Sequence, residues 1–349
     1  MPLKSLQIGN LFSKIPVVQG GMGVGVSLSG LASAVAAEGG VGVISAAHIG
    51  FSLPEFENNP IKANLDALSA HIRAAKERAK GGVIGVNIMT AMRRYDDLVK
   101  QSVKSGVDII FSGAGLPINL PELVKNSTTK IAPIVSSVKS ASVLLKMWER
   151  RYGATADAVV VEGPDAGGHL GFKPEQLEAR TNYDEELTGI LSFIKTYEEK
   201  FQKHIPVIFG GGVYDKKDVD KYLGMGCEGV QVASRFVATE DCDAHDKFKE
   251  AYVCAKEEDI VIVNSPVGMP GRALLNNFIR AVRREKQKII KCYGCITPCK
   301  PAEAPYCISS ALIASVKGDT DNGLIFCGAK THRIDKVTSV KAIIRELTG

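Results

Sequence analysis

The 349-residue sequence has no uninterrupted apolar run approaching the length of a membrane span, and Met1 to Asn10 lack the apolar core of a secretory signal. The expectation is a cytoplasmic protein with no membrane partner. There is no Walker A sequence and no His-Glu-x-x-His helix, which excludes the easiest nucleotide and zinc-protease readings. The first glycine-rich stretch, Gly20-Gly21-Met22-Gly23-Val24-Gly25, lacks the dinucleotide fingerprint's spacing, which weakens a doubly wound open sheet. A formal net charge of +5 is too mild to suggest nucleic acid. Eight cysteines in a chain of this kind read as free thiols, metal ligands or redox groups rather than a disulfide framework.

Glycine is abundant, at 35 residues without a collagen period, and 45% hydrophobic against 23% charged residues supplies ample core. Short apolar, β-branched runs recur: Ile15–Gln19, Val41–Ser45, Val83–Ile88, Val107–Phe111, Lys130–Val135, Ala158–Glu162, Ile205–Phe209 and Gly229–Val232. They are continuous rather than alternating, as in parallel strands covered on both faces. Helix-like stretches lie between them, at Leu28–Ala37, Asn64–Lys80, Tyr95–Lys104, Ser140–Tyr152, Asp184–Gln202 and Lys216–Leu223. Eight βα units in alternation predict an α/β fold, a (β/α)8 TIM barrel, over residues 1–250. Residues 251–324 show no further strand pattern. Helix-like Gly271–Lys291, a cysteine-rich turn and helix-like Ile308–Val316 predict a small helical subdomain over the barrel mouth, and residues 325–349 a segment packing back on the barrel.

In such a barrel function sits at the C-terminal ends of the strands. Those ends carry Gln19-Gly20-Gly21-Met22, Asn87, Glu162, Gly167-Gly168-His169, Gly210-Gly211-Gly212, Gln231 and Ala233-Ser234-Arg235. The three glycines after the seventh strand expose backbone N–H groups, and Ser234 after the eighth adds a hydroxyl, so the pair forms a candidate phosphate cradle. Gln19 and Asn87 offer amides to a heterocycle or satisfy local turns. His169 titrates near neutrality and suits proton donation or acceptance, and His48 follows the second strand closely enough to line the same mouth.

Five of these motifs, Ile15-Pro16-Val17-Val18-Gln19-Gly20-Gly21-Met22, Gly85-Val86-Asn87-Ile88-Met89, the segment Val161 to His169, Pro206 to Gly212 and Gly229 to Phe236, resemble the flavin-dependent nitronate monooxygenases, formerly 2-nitropropane dioxygenases. The type II enoyl-acyl-carrier-protein reductases share them. The resemblance implies FMN as cofactor, its phosphate on the Gly210, Gly211, Gly212 cradle with Ser234, and its ring and ribityl chain along Gln19, Gly20, Met22 and Asn87. Gly21, Glu162, Gly167, Gly168, Gln231, Ala233 and Arg235 would also bind the cofactor, and His169 would take the place of the family's active-site histidine. It implies oxidation of a nitronate with oxygen to a carbonyl compound and nitrite, or reduction of an enoyl thioester by NAD(P)H. A phosphate-binding barrel without redox chemistry is the lower alternative.

Two features stand outside the resemblance. Arg280, Arg283, Arg284, Lys286, Lys288 and Lys291 form a basic run that reads as a solvated face or as a dock for an acidic carrier protein. Cys292, Cys295, Cys299 and Cys307 bring four thiolates within sixteen positions, for zinc or an iron–sulfur cluster or else a proline-rich loop of small thiols; their spacing matches neither ferredoxin run, and no metal ligand set is assigned.

Overall fold

A computed structural model describes residues 3–178 and 182–349. Eight parallel strands close into a barrel: β1 (Val17–Gln19), β2 (Val41–Ser45), β3 (Val83–Met89), β4 (Ile109–Gly113), β5 (Lys130–Val135), β6 (Val159–Glu162), β7 (Val207–Gly210) and β8 (Gly229–Val232). The order follows the chain, and β8 pairs with β1 through Val230 beside Val17 and Val232 beside Gln19.

The continuous apolar runs are explained by two cores. Val41, Val43, Val83, Ile109, Phe111 and Val160 point into the barrel, where Leu6 and Ile8 of an N-terminal hairpin (Leu6–Ile8 with Leu11–Ser13) join them. The alternate residues Ile44, Ile84, Val86, Ile110, Val159 and Val161 pack outward against the helices. Both faces of every strand are covered, so polar residues fit mainly at strand ends.

The outer layer includes α1 (Ser29–Ala37), α2 (Pro60–Arg78), α3 (Tyr95–Lys104), α4 (Val138–Tyr152), α5 (Asp184–Phe201) and α6 (Lys216–Gly224). In α4, Ser137 accepts the Ser140 N–H at 3.1 Å as N-cap, and left-handed Gly153 stops the helix. Between these caps its apolar face buries Leu144, Leu145 and Trp148. The single tryptophan donates its indole N–H to Pro117 O at 3.0 Å, so burial leaves no polar atom stranded.

Past the barrel strands the structure differs from the sequence expectation. A hairpin, β9 (Ile260–Asn264) and β10 (Pro270–Leu274), occupies residues read as strandless, and the helix predicted over Gly271–Lys291 shortens to α7 (Asn277–Arg284). Asn276 caps α7 by accepting the Ile279 N–H at 3.0 Å, which sets its start beyond the strand. β10 also pairs with a two-residue strand, Gly168–His169, that follows β6. Helices α8 (Ile308–Val316) and α9 (Val340–Thr348) complete the chain where apolar periodicity places them. Among the described residues no helix is long and apolar enough to cross a membrane.

Trp148→Ala removes the largest side chain of the outer core together with its hydrogen bond. We expect a stability loss of about 3–5 kcal/mol, measured by denaturant melts followed by far-ultraviolet circular dichroism.

Candidate active site

A cavity of about 240 Å³ opens at the C-terminal end of the barrel. Gly20, Gly21 and Met22 leave β1 and form one wall with Asn87 of β3. A Cβ on Gly21 would stand 2.3 Å from the Asn87 Cβ, so this close approach of backbone to amide requires glycine. Among the residues expected to bind the cofactor Gln19 is the exception, for it does not line the cavity. It is fully buried, accepts the Val43 N–H at 2.9 Å and donates to Gly20 O. Only Val18 and Val41 stand in register between β1 and β2, and the Gln19 amide extends that short ladder.

The opposite wall holds Gly210, Gly211 and Gly212 after β7, and Gln231, Ala233, Ser234 and Arg235 at the end of β8. Gly211 and Gly212 have φ of 111° and 76°, and a Cβ on Gly211 would meet Gly163 O at 2.9 Å. Their turn therefore presents bare backbone. Ser234 opens a one-turn helix, and its Oγ accepts the Gly328 N–H at 3.0 Å. This bond brings Cys327, Gly328, Ala329 and Lys330 onto the cavity wall, residues that sequence reasoning missed because no strand end or glycine run marks them. The Arg235 guanidinium is engaged elsewhere: it donates to Tyr214 O at 2.8 Å, pairs with Glu346 of α9 and stacks 4.5 Å from the Tyr214 ring.

The third side carries Glu162, Gly167, Gly168 and His169. Glu162 ends β6, and burial pushes its carboxyl up to about 8, partly opposed by the Arg272 charge. Arg272, on β10, is itself buried and donates to Pro164 O at 2.9 Å and to Ala166 O, so it braces the segment that delivers His169. His169 Nε2 lies 2.7 Å from the Ser265 hydroxyl, and Phe326 packs edge-on with ring centroids 4.9 Å apart. Burial holds the His169 pKa down at about 4, so its ring is neutral at physiological pH. Ser265 and Arg272 lie in the hairpin that carried no strand signal, which is why neither was expected.

His48 is corrected: it does not line the cavity. It is buried between Phe56 and Tyr293, its Nε2 lies 2.8 Å from the Ser309 hydroxyl of α8, and burial lowers its pKa to about 4. All eight cysteines are free thiols. Cys292 is exposed, Cys295, Cys299 and Cys307 are partly buried, and among the described residues no three His, Cys, Asp or Glu side chains are arranged to hold a metal ion. The six basic residues of the 280–291 run are exposed, with Lys291 paired to Glu57.

The nitronate monooxygenase family profile matches residues 4–349. The chain belongs to that family. It is accordingly an oxidoreductase. A probable nitronate monooxygenase of Staphylococcus saprophyticus is 27% identical over 310 residues, 83% of each chain. A Mycobacterium tuberculosis protein named as a hydroxy-methyl-oxo-octahydro-indene-carboxyl-CoA dehydrogenase is 28% identical over 76% of this chain and 64% of its own. Among solved structures, FabK from Thermotoga maritima superposes with a TM-score of 0.73 at 27% identity, covering 95% of this chain and 91% of that one. Nitroalkane oxidase from Streptomyces ansochromogenes, at 19% identity and a TM-score of 0.73 over 96% and 95%, shares the fold.

The buried groups set a pH profile for stability. His48 and His169 fall from 6.5 to about 4 on folding, so between those values the unfolded chain binds more protons and stability drops as pH falls. Glu162 rises from 4.5 to about 8 and acts in the opposite sense, lowering stability as pH rises from 6.5 to 8, and His204, whose pKa is raised against desolvation by Glu228 and Glu198, adds to that fall. We expect a melting temperature highest near pH 6.5, with a shallower acid limb in His48→Gln, measured by scanning calorimetry.

Proposed function

We propose that the cavity binds FMN and that the protein is a nitronate monooxygenase, oxidising alkyl nitronates with oxygen to a carbonyl compound and nitrite. The observation that carries this reading is the union on one cavity of the glycine turn after β7 and Ser234 after β8 with His169, a histidine held neutral. The residues present fit such a cofactor. Gly211 and Gly212 are held to glycine by positive φ and by the close packing of Gly163 and Asp165, so their backbone lines the cavity without side chains, and Ser234 on the same wall adds a hydroxyl, a donor set suited to a phosphate. Gly20, Gly21, Met22 and Asn87 would flank the flat ring, the two glycines with backbone and Asn87 with its amide.

FMN, when bound, supplies electron transfer to oxygen. The protein's own residues bind and orient. His169 would hold a nitronate oxygen or the proton beside it, and its neutral ring donates a hydrogen bond without carrying charge into the cavity. Met22, Met89, Met92 and Ile134 make part of the wall apolar, which limits water around the bound substrate.

A second reading, reduction of an enoyl thioester by NAD(P)H, is favoured by that same wall. Met269, Leu312 and Phe326 extend it beyond what a small nitronate needs. The likeness to FabK and to a relative named for a carboxyl-CoA substrate points the same way. Under this reading the exposed basic residues from Arg280 to Lys291 would dock an acidic carrier protein, an attraction that salt weakens.

Mixing the purified protein anaerobically with NADH, NADPH or an alkyl nitronate separates the two. Change of the flavin spectrum by nitronate alone is the expected result, bleaching by a pyridine nucleotide establishes the reductase, and a colourless protein that takes up no FMN overturns both. His169→Ala is expected to lose about 100-fold in turnover while retaining flavin, and loss of flavin in that variant would remove the histidine from its proposed role.

A further inference from the structure

His169 and Ser265 are 96 positions apart in sequence, yet each is fixed by the same three-stranded patch. Gly168 and His169 pair with Arg272 and Gly271 of β10, and the Leu170 N–H adds a bond to Pro270 O at 2.8 Å. Ser265 begins the turn that joins β9 to β10. Its carbonyl accepts the Gly268 N–H at 2.9 Å, and Gly268 takes the left-handed φ of 84° that closes the turn. The backbone of both partners is therefore held by hydrogen bonds, and Phe326 limits the swing of the imidazole from its side.

The hydroxyl's remaining bond decides the direction of the contact. Ser265 Oγ accepts the Val267 N–H at 3.3 Å and stands 2.7 Å from His169 Nε2. The hydroxyl could accept a second bond, but Ser265 is buried and its proton has no acceptor other than Nε2 among the described residues, so the hydroxyl donates to the ring. The imidazole proton then resides on Nδ1, for which no protein partner stands among the described residues, and the ring borders the cavity.

We propose that Ser265 is a positioning residue that fixes His169 in the tautomer protonated on Nδ1, so that the ring offers an N–H donor to an oxygen of the bound substrate. The tautomer follows from the hydrogen bonds alone. The donor's partner rests on the function proposed above, and is an anionic nitronate oxygen or, under the second reading, a thioester carbonyl oxygen. Both need a donor that stays neutral and correctly turned, which a ring free to exchange tautomers provides only part of the time.

The test is a two-bond proton–nitrogen correlation spectrum of the flavin-loaded protein labelled with nitrogen-15 histidine, the His169 signals being identified by their loss in His169→Gln. Wild type is expected to show the proton on Nδ1, Ser265→Ala a shift toward the other tautomer, and Ser265→Thr the wild-type pattern. In steady-state kinetics Ser265→Ala is expected to raise KM about tenfold with a smaller change in kcat, and Ser265→Thr to restore it. A proton on Nε2 in wild type, or an unaltered spectrum in Ser265→Ala, overturns the proposal. An altered spectrum with unchanged KM overturns the donor role. Full turnover in His169→Ala would instead refute the reading of the cavity and leave the tautomer result standing.

Discussion

Closure of the parallel barrel is the constraint on which everything else depends. Once β8 pairs with β1, no strand edge remains, and each strand is covered inside by its neighbours and outside by helices. Backbone polar groups are satisfied in the ladder, and side chains along the strands are consigned to two apolar cores. Polar residues are displaced to the strand ends. Asn87, Glu162 and Gln231 lie in the C-terminal halves of their strands, and closure of the barrel converges them on one cavity.

The second layer of control comes from chain that follows the barrel strands. β10 adds to Gly168–His169, Arg272 braces the carbonyls of Pro164 and Ala166, and the Gly328 N–H ties the 327–330 loop to Ser234. Segments more than a hundred residues from the second strand thus complete a cavity whose floor the barrel supplies. The same logic governs His48, which the β2 loop delivers to Ser309 of α8 rather than to the cavity. Two neutral histidines, each against a serine of the later chain, join the barrel loops to what covers them. Only His169 borders the cavity.

Much of this was legible in the residues. β2, β5 and β8 begin and end where apolar runs do, and α3 spans the predicted Tyr95–Lys104. β4 runs on to Gly113 because the buried Ser112 hydroxyl donates to Ile88 O at 3.0 Å and pairs with the Tyr95 hydroxyl at 2.9 Å, a satisfaction that composition alone does not reveal. The β9–β10 hairpin was illegible for a related reason. Ile260, Val261 and Ile262 are only partly buried, and the residues from Gly271 onward read as helix-like, so the strand is defined by its partner at His169 rather than by its own pattern.

Among site residues the glycine turns after β1 and β7 could be read directly, since bare backbone at a strand end is a property of the residue type. Gln19 and Arg235 could not, because an amide or guanidinium serves a ladder, a helix or a ligand equally well until its neighbours are known. The sequence by itself determined the barrel, its strand ends and the family, because these follow from periodicity and local chemistry. Which side chains face the cavity, which histidine it borders and which serine meets that histidine were decided only by tertiary structure, since those pairings join residues that no local pattern links.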